Sequence, residues 1–261
     1  MRNMSFGFII VLLMLLINGC AQQSARGDMT AEQHQKRMQQ SAKIHTELAA
    51  EYHHRGQFGI AIDEITEALQ ADTSYAPAHN VLGLVYMALH ENDMARKNFE
   101  QALALAPNDP ETHNNYGWFL CQRMPEQMDK AIDHFVVAIK DRLYLTPEES
   151  FTNAGACEIK RGDYEAASEY FRRALSVRTN YSPAAVGLIE VDFRKGNVAD
   201  AKTKLSKYTQ RTKLTPEGLW LAVQIEREMG DQYAADSYQF QLQKHFPNSK
   251  EATALGEDRF K

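Results

Sequence analysis

The chain has 261 residues, 44% of them hydrophobic and 24% charged, enough to bury a substantial core in one large domain or two small ones. A net charge of -5 and an isoelectric point near 6.0 deny it the basic background that nucleic-acid binding draws on, so nucleic acid is not expected as a partner.

Residues 1–19 differ from the rest. Met1-Arg2-Asn3 is a short positive end, and residues 6–17 are almost wholly apolar before Asn18-Gly19-Cys20. Twelve apolar residues make a helix of about 18 Å, too short for a hydrocarbon layer of roughly 30 Å, so the segment reads as a cleaved export signal. Ile17-Asn18-Gly19-Cys20 resembles a bacterial lipobox, in which the Cys thiol is acylated and becomes the mature N-terminus. The competing reading is an ordinary secretory signal with an incidental Cys. In lipoproteins of this type an Asp after the Cys signals inner-membrane retention; Ala21 stands there instead, and the resemblance therefore implies the outer membrane. Lipid on Cys20 is the only non-protein group expected; no cofactor is.

Residues 21–28 are small and polar without apolar periodicity, the composition of a flexible tether. Thr30 followed by Gln33 has the form of a capping box, so the first helix is expected to begin within residues 20–41, ahead of its repeat.

Beyond that point the chain repeats itself. Ala61, Ala95, Ala131, Ala167, Ala201 and Ala235 recur at spacings of 34 to 36 residues. Four residues behind them come Ile65, Phe99, Phe135, Phe171 and Leu205, then Ala68, Ala102, Ala138 and Ala174; ahead lie Ala49, Gly83, Gly117 and Gly155. This small–aromatic–small signature at that period is the tetratricopeptide (TPR) pattern. It predicts an all-α, right-handed solenoid of six helix-turn-helix repeats at 42–75, 76–109, 110–145, 148–181, 182–215 and 216–249, with a polar tail at 250–261. Small residues where helices A and B cross let the backbones approach, and Phe or Leu fills the gap to the next hairpin.

Punctuation supports the register. Between A and B the chain reads Arg55-Gly56-Gln57, Arg161-Gly162-Asp163, Lys195-Gly196-Asn197 and Met229-Gly230-Asp231, with Gly suited to a left-handed C′ position and Asp or Asn to capping the next helix. Repeat three carries two extra residues within 121–128, and Thr146-Pro147 adds two more before repeat four. Repeat six has Gln239 where the aromatic belongs, beside Phe240, as befits an atypical terminal repeat.

Several constellations are candidates for chemistry. His45, His79 and His113 share one repeat position, but equivalent helices lie roughly 8–10 Å apart, too far for one metal whose ligands sit within about 2.1 Å. They read as planar groups filling the interface between hairpins, and no metal site is expected. No phosphate loop, nucleophile elbow or zinc-protease motif occurs, so the chain is not expected to be an enzyme. Cys121 and Cys157 fall late in the A helices of adjacent repeats. A bridge needs Cα atoms within about 7 Å, which is tight for neighbouring helices, so a disulfide and two small buried hydrophobes both remain open.

The concave face of such a stack is lined by fixed A-helix positions, here including Asn80, Leu84, Met87, Asn114, Trp118, Cys121, Thr152, Ile159, Phe193 and Trp220. Amides beside aromatic and thioether groups suit an extended or helical peptide; the alternative is that Trp118 and Leu84 are core. A carboxylate clamp is not expected, for want of Lys and Arg. The candidate partner-binding set is Asn80, Leu84, Met87, Asn114, Asn115, Trp118, Thr152 and Asn153.

Three stretches together resemble the type IV pilus biogenesis and stability lipoprotein family called PilW or PilF: residues 113–121 (HNNYGWFLC), 151–157 (FTNAGAC) and 170–175 (YFRRAL). The resemblance implies a pilotin, an outer-membrane lipoprotein that binds the pilus secretin subunit from the periplasm and promotes its membrane localisation and multimer assembly. It also implies that Cys121 and Cys157 are bridged, and it leaves room for other pilus proteins as partners. The rival reading is a general envelope scaffold that recruits cell-wall enzymes or an outer-membrane assembly machine.

Overall fold

A computed structural model describes residues 30–258; the signal segment 1–19, Cys20, the tether up to residue 29 and residues 259–261 lie outside the described residues. Those described form helical hairpins and no strand. In chain order the hairpins are α1 (Ala31–His54) with α2 (Phe58–Ala71), α3 (Ala76–Ala88) with α4 (Asn92–Leu105), and α5 (Pro110–Arg123) with α6 (Met128–Lys140). Then come α7 (Pro147–Arg161) with α8 (Tyr164–Val177), α9 (Ser182–Arg194) with α10 (Val198–Thr209), and α11 (Pro216–Glu228) with α12 (Gln232–His245). A last helix, α13, spans Lys250–Asp258.

Helix α1 starts where the sequence places it. Thr30 accepts from the backbone N–H of Gln33 at 3.2 Å, and the Gln33 side chain accepts from Thr30 N at 2.9 Å. The two extra residues of repeat three are absorbed by a 3₁₀ turn, Pro125–Gln127, between α5 and α6. Pro110, Pro147 and Pro216 each open an A helix, where a missing N–H costs nothing.

Each A helix packs against its own B helix, against the B helix before it and against the next A helix, whereas successive B helices do not meet. A stack whose A helices touch while its B helices splay is curved with the A helices inside. The inner wall is therefore made of α1, α3, α5, α7, α9 and α11.

The repeating alanines at 61, 95, 131, 167, 201 and 235 are all fully buried at the crossings. The glycines explain the aromatics: a Cβ on Gly83 would meet the Phe99 ring at 2.7 Å, one on Gly117 the Phe135 ring at 3.0 Å, and one on Gly155 the Phe171 ring at 2.8 Å. Each Phe thus fills a notch in the A helix of its own repeat. Where the notch residue grows, the filler shrinks: Ile189 stands with Leu205 and Val223 with Gln239, all buried. Total volume at the crossing is what the fold conserves.

Four A-to-B turns use glycine at positive φ, from 70° at Gly56 to 83° at Gly162, and in repeat two His90 takes the same left-handed conformation at φ 64°. Asp163 and Asp231 cap the following helices through their side chains; Asn197, expected to do the same, makes no such bond.

One expectation changes. The segment 250–261 does not continue as a tail from its start: Ser249 caps α13 by accepting from Ala252 N at 3.1 Å, and Leu255 is fully buried in the core shared with Leu221, Ala222 and Leu242. Helix α13 covers the apolar end of repeat six, the role of a solenoid cap. Gln239 does turn into the aromatic slot, 7% exposed, leaving Phe240 outside at 62%.

Candidate partner-binding surface

On the inner wall of repeats two to four the asparagines form a ladder. Asn115 Nδ2 donates to Asn80 Oδ1 at 3.2 Å, and Asn114 Nδ2 to Asn115 Oδ1 at 3.4 Å. Asn114 Oδ1 then accepts from Ser150 Oγ at 2.8 Å and from Asn153 Nδ2 at 3.0 Å. The chain of amides joins α3, α5 and α7, the three consecutive A helices that carry the candidate set.

This divides that set in two. Asn80, Asn114 and Thr152, expected to face a partner, are buried at 3%, 5% and 9% exposure. The neighbouring A helices cover them, and their polar atoms are engaged: Thr152 Oγ1 donates back to Glu148 O at 2.8 Å. These three hold the wall together. Leu84, Met87, Asn115, Trp118 and Asn153 are part-exposed, and Leu84, Met87 and Trp118 rest on the core formed by Phe99, Phe119 and Phe135. They form an apolar surface with amides at its edge, backed by packed helices. Ile159, Phe193 and Trp220 are part-exposed further along the wall.

The structure joins Cys121 and Cys157 in a disulfide across α5 and α7, with their Cα atoms 5.9 Å apart. Close by, Arg123 Nη2 donates to Met87 O at 3.2 Å, clamping the end of α3, and Lys160 Nζ donates to Gln122 Oε1 at 2.5 Å. Burial holds the Lys160 ammonium below its usual range, helped by the positive charges of Lys250 and Arg123. The wall therefore does carry cations, which the fixed-position reading passed over because they sit one or two residues beyond the positions it scans.

The histidine column has a different job from the one expected. His45 Nδ1 lies 2.7 Å from Glu64 Oε2, His79 Nδ1 3.3 Å from Asn98 Oδ1 and His113 Nδ1 2.8 Å from His134 Nδ1. Each partner belongs to the B helix of the same repeat, so the column ties A to B within a hairpin and does not fill the gap between hairpins. His79 and His113 also reach back with Nε2 to the loop carbonyls of Thr73 and Pro107, at 3.4 and 3.0 Å.

Hairpins locked by a small-residue notch and a matching filler, stacked with A helices inside, define a tetratricopeptide-repeat protein. Residues 76–109 and 148–181 match that repeat family directly. The whole chain has closer kin. It is 33% identical to PilW, a widely conserved type IV pilus biogenesis factor, whose crystal structure it matches at TM-score 0.70 over 82% of this chain and 97% of PilW. It is 25% identical over 243 residues to the type IV pilus assembly protein PilF of Pseudomonas aeruginosa, spanning 93% of this chain and 94% of PilF. A solved structure of Pseudomonas aeruginosa PilF shares the fold at TM-score 0.66 and 24% identity, over 85% of this chain and 99% of that one. The chain belongs to the PilW/PilF family of type IV pilus biogenesis proteins.

Proposed function

We propose that this protein acts as a pilotin: a lipoprotein, acylated on Cys20 and held at the periplasmic face of the outer membrane, that binds the pilus secretin subunit and promotes its localisation and assembly into multimers. The observation that carries the reading is the 33% identity maintained over 97% of PilW, a pilus biogenesis factor. The inner wall supports it. Leu84, Met87 and Trp118 offer apolar contact area that needs little ordering on binding, and Asn115 and Asn153 can meet a peptide backbone. The secretin-holding surface is assigned to the first three repeats, with Asn153 of repeat four at its edge and the lipid at Cys20 supplying the membrane end.

The test has two arms. Deleting the gene should remove secretin multimers and twitching motility while leaving cell-wall cleavage unchanged; altered cleavage with normal multimers would point to an envelope scaffold instead. In the second arm the mature protein is used as bait and its partner identified. Secretin capture that persists without repeats one to three would overturn the placement of the surface.

A further inference from the structure

A strip of positive charge interrupts this acidic chain. Between Arg194 and Lys213 the sequence carries seven Lys or Arg residues and a single Asp. Four of the seven are paired: Arg194 with Glu190 at 3.2 Å, Lys195 with Glu165 at 2.7 Å, Lys202 with Glu226 at 2.6 Å and Lys204 with Asp192 at 2.5 Å. The other three, Lys207, Arg211 and Lys213, are exposed and make no ion pair with any described residue.

These three border two adjoining clefts at the junction of repeats five and six. One, of about 720 Å³, opens between the 209–214 loop and α12; the other, of about 330 Å³, lies between the end of α10 and the start of α9. They share Gln210, Arg211 and Thr212 as a common wall. Neither is lined by an Asp or a Glu, while Thr179, Asn180, Thr209, Thr212 and Gln241 contribute hydroxyl and amide donors.

Helix chemistry explains only part of this. A cation in the last turn of a helix is favoured by the dipole, and Lys207 stands in the last turn of α10; Arg211 and Lys213 lie beyond its end at Thr209. Three like charges gathered around two adjoining clefts repel unless an anion sits among them. A guanidinium fork, two ammonium point charges and surrounding hydroxyls form the donor set that satisfies a phosphate, which offers more acceptor oxygens and more charge than one carboxylate. We propose that the wall shared by these two clefts, with Lys207 on one side and Lys213 on the other, binds a phosphate group, carried either by a lipid headgroup or by a soluble phosphate ester. The site lies away from the wall of repeats two to four and does not depend on which partner that wall holds.

The test compares the full chain with the triple variant Lys207→Gln/Arg211→Gln/Lys213→Gln and with a control that removes three positive charges elsewhere, Lys36→Gln/Lys97→Gln/Arg172→Gln. All six positions are exposed, and thermal melts confirm folding. Inorganic pyrophosphate is titrated by calorimetry, and vesicles of phosphatidylglycerol or of phosphatidylcholine are offered in flotation, the N-terminal segment being the same in every chain. The wild type and the control should bind pyrophosphate alike, and the triple variant about tenfold or more weakly. A preference for phosphatidylglycerol lost only in the triple variant identifies a headgroup; pyrophosphate binding without that preference identifies a soluble phosphate. Equal binding by all three chains, or an equal loss in the control, overturns the site.

Discussion

His113 Nδ1 stands 2.8 Å from His134 Nδ1, and this contact fixes the proton arrangement of both rings. His113 Nε2 donates to Pro107 O at 3.0 Å, so in the neutral ring Nδ1 is bare and accepts the Nδ1–H of His134. A proton added at the bare Nδ1 of His113 would set two donors face to face, whereas one added to His134 goes to its Nε2, leaves this bond in place and puts a cation in a half-buried site. Burial, and then the His113 charge, lower the His134 pKa from 6.5 to about 4, with Asp133 opposing and Lys130 assisting. Between those values the unfolded chain binds the proton that the folded chain refuses, so this pair's stabilisation is complete above pH 6.5 and is lost as pH falls toward 4. After discount for solvent screening of a partly exposed ring, the loss should be on the order of 1–2 kcal/mol. The carboxyls of Glu111 and Glu149, pushed upward by partial desolvation and neighbouring carboxylates, titrate with the opposite sign, so the measurement is a difference. Wild type and His134→Gln are melted from pH 7.5 to 4.5, and the wild type should lose the more stability on acidification. Parallel curves would exclude the role.

The disulfide between Cys121 and Cys157 closes 36 residues across repeats three and four. Loop-closure entropy for that span corresponds to about 3–4 kcal/mol, an upper figure because the unfolded chain keeps some structure. Cys121→Ala/Cys157→Ala should therefore lower the urea midpoint substantially with little change in slope. In the oxidised, denatured protein neither thiol should react with a thiol reagent, and both should react after reduction.

The Phe171 ring is enclosed by two glycines. A Cβ on Gly187 would come within 2.4 Å of it and one on Gly155 within 2.8 Å, while Phe171 itself is 2% exposed. Alanine at Gly187 would gain up to about 1 kcal/mol of helix propensity, but forcing the ring out of its slot costs about 1–3 kcal/mol, and the second effect should win. Gly59 is the control: it is helical and a Cβ there meets nothing within 4 Å, so Gly59→Ala should leave stability unchanged or raise it. Melting temperatures that move the same way in both variants would contradict the slot.

The period, the hairpins and the left-handed turns were readable in the chain because they depend on residue size and backbone freedom at fixed spacing, which one-letter codes record directly. Gly187 escaped notice because it lies two residues from the regular notch position, and only the three-dimensional stack brings it onto Phe171. Helix α13 was missed although Ser249 and the Ala252–Leu255 spacing signal it, because Pro247 and the polar surroundings read as a stop. The binding wall was legible as a wall but not in its exposure. A repeat position tells which way a side chain points; whether the next helix covers it depends on the packing of α3, α5 and α7, and that packing buries Asn80, Asn114 and Thr152.

That burial gives the asparagine ladder separable roles. Asn114 Oδ1 is the shared acceptor for Ser150 Oγ and Asn153 Nδ2, and Ser150 is fully buried. Asn114→Ala leaves the buried Ser150 hydroxyl only its longer contact with Tyr144 Oη at 3.5 Å, which should cost about 1–3 kcal/mol, whereas replacing both partners of a bond is far cheaper than removing one. Asn115 is part-exposed, so water can replace what Asn115→Ala removes from Asn80, and its cost should be less than half as large. A double-mutant cycle between Asn114 and Asn153 should return a coupling of about 0.5–1.5 kcal/mol, because the two share a direct bond. If Asn114→Ala proves as mild as Asn115→Ala in urea unfolding, the ladder does not hold the A helices together, and the asparagines are free to serve a partner instead.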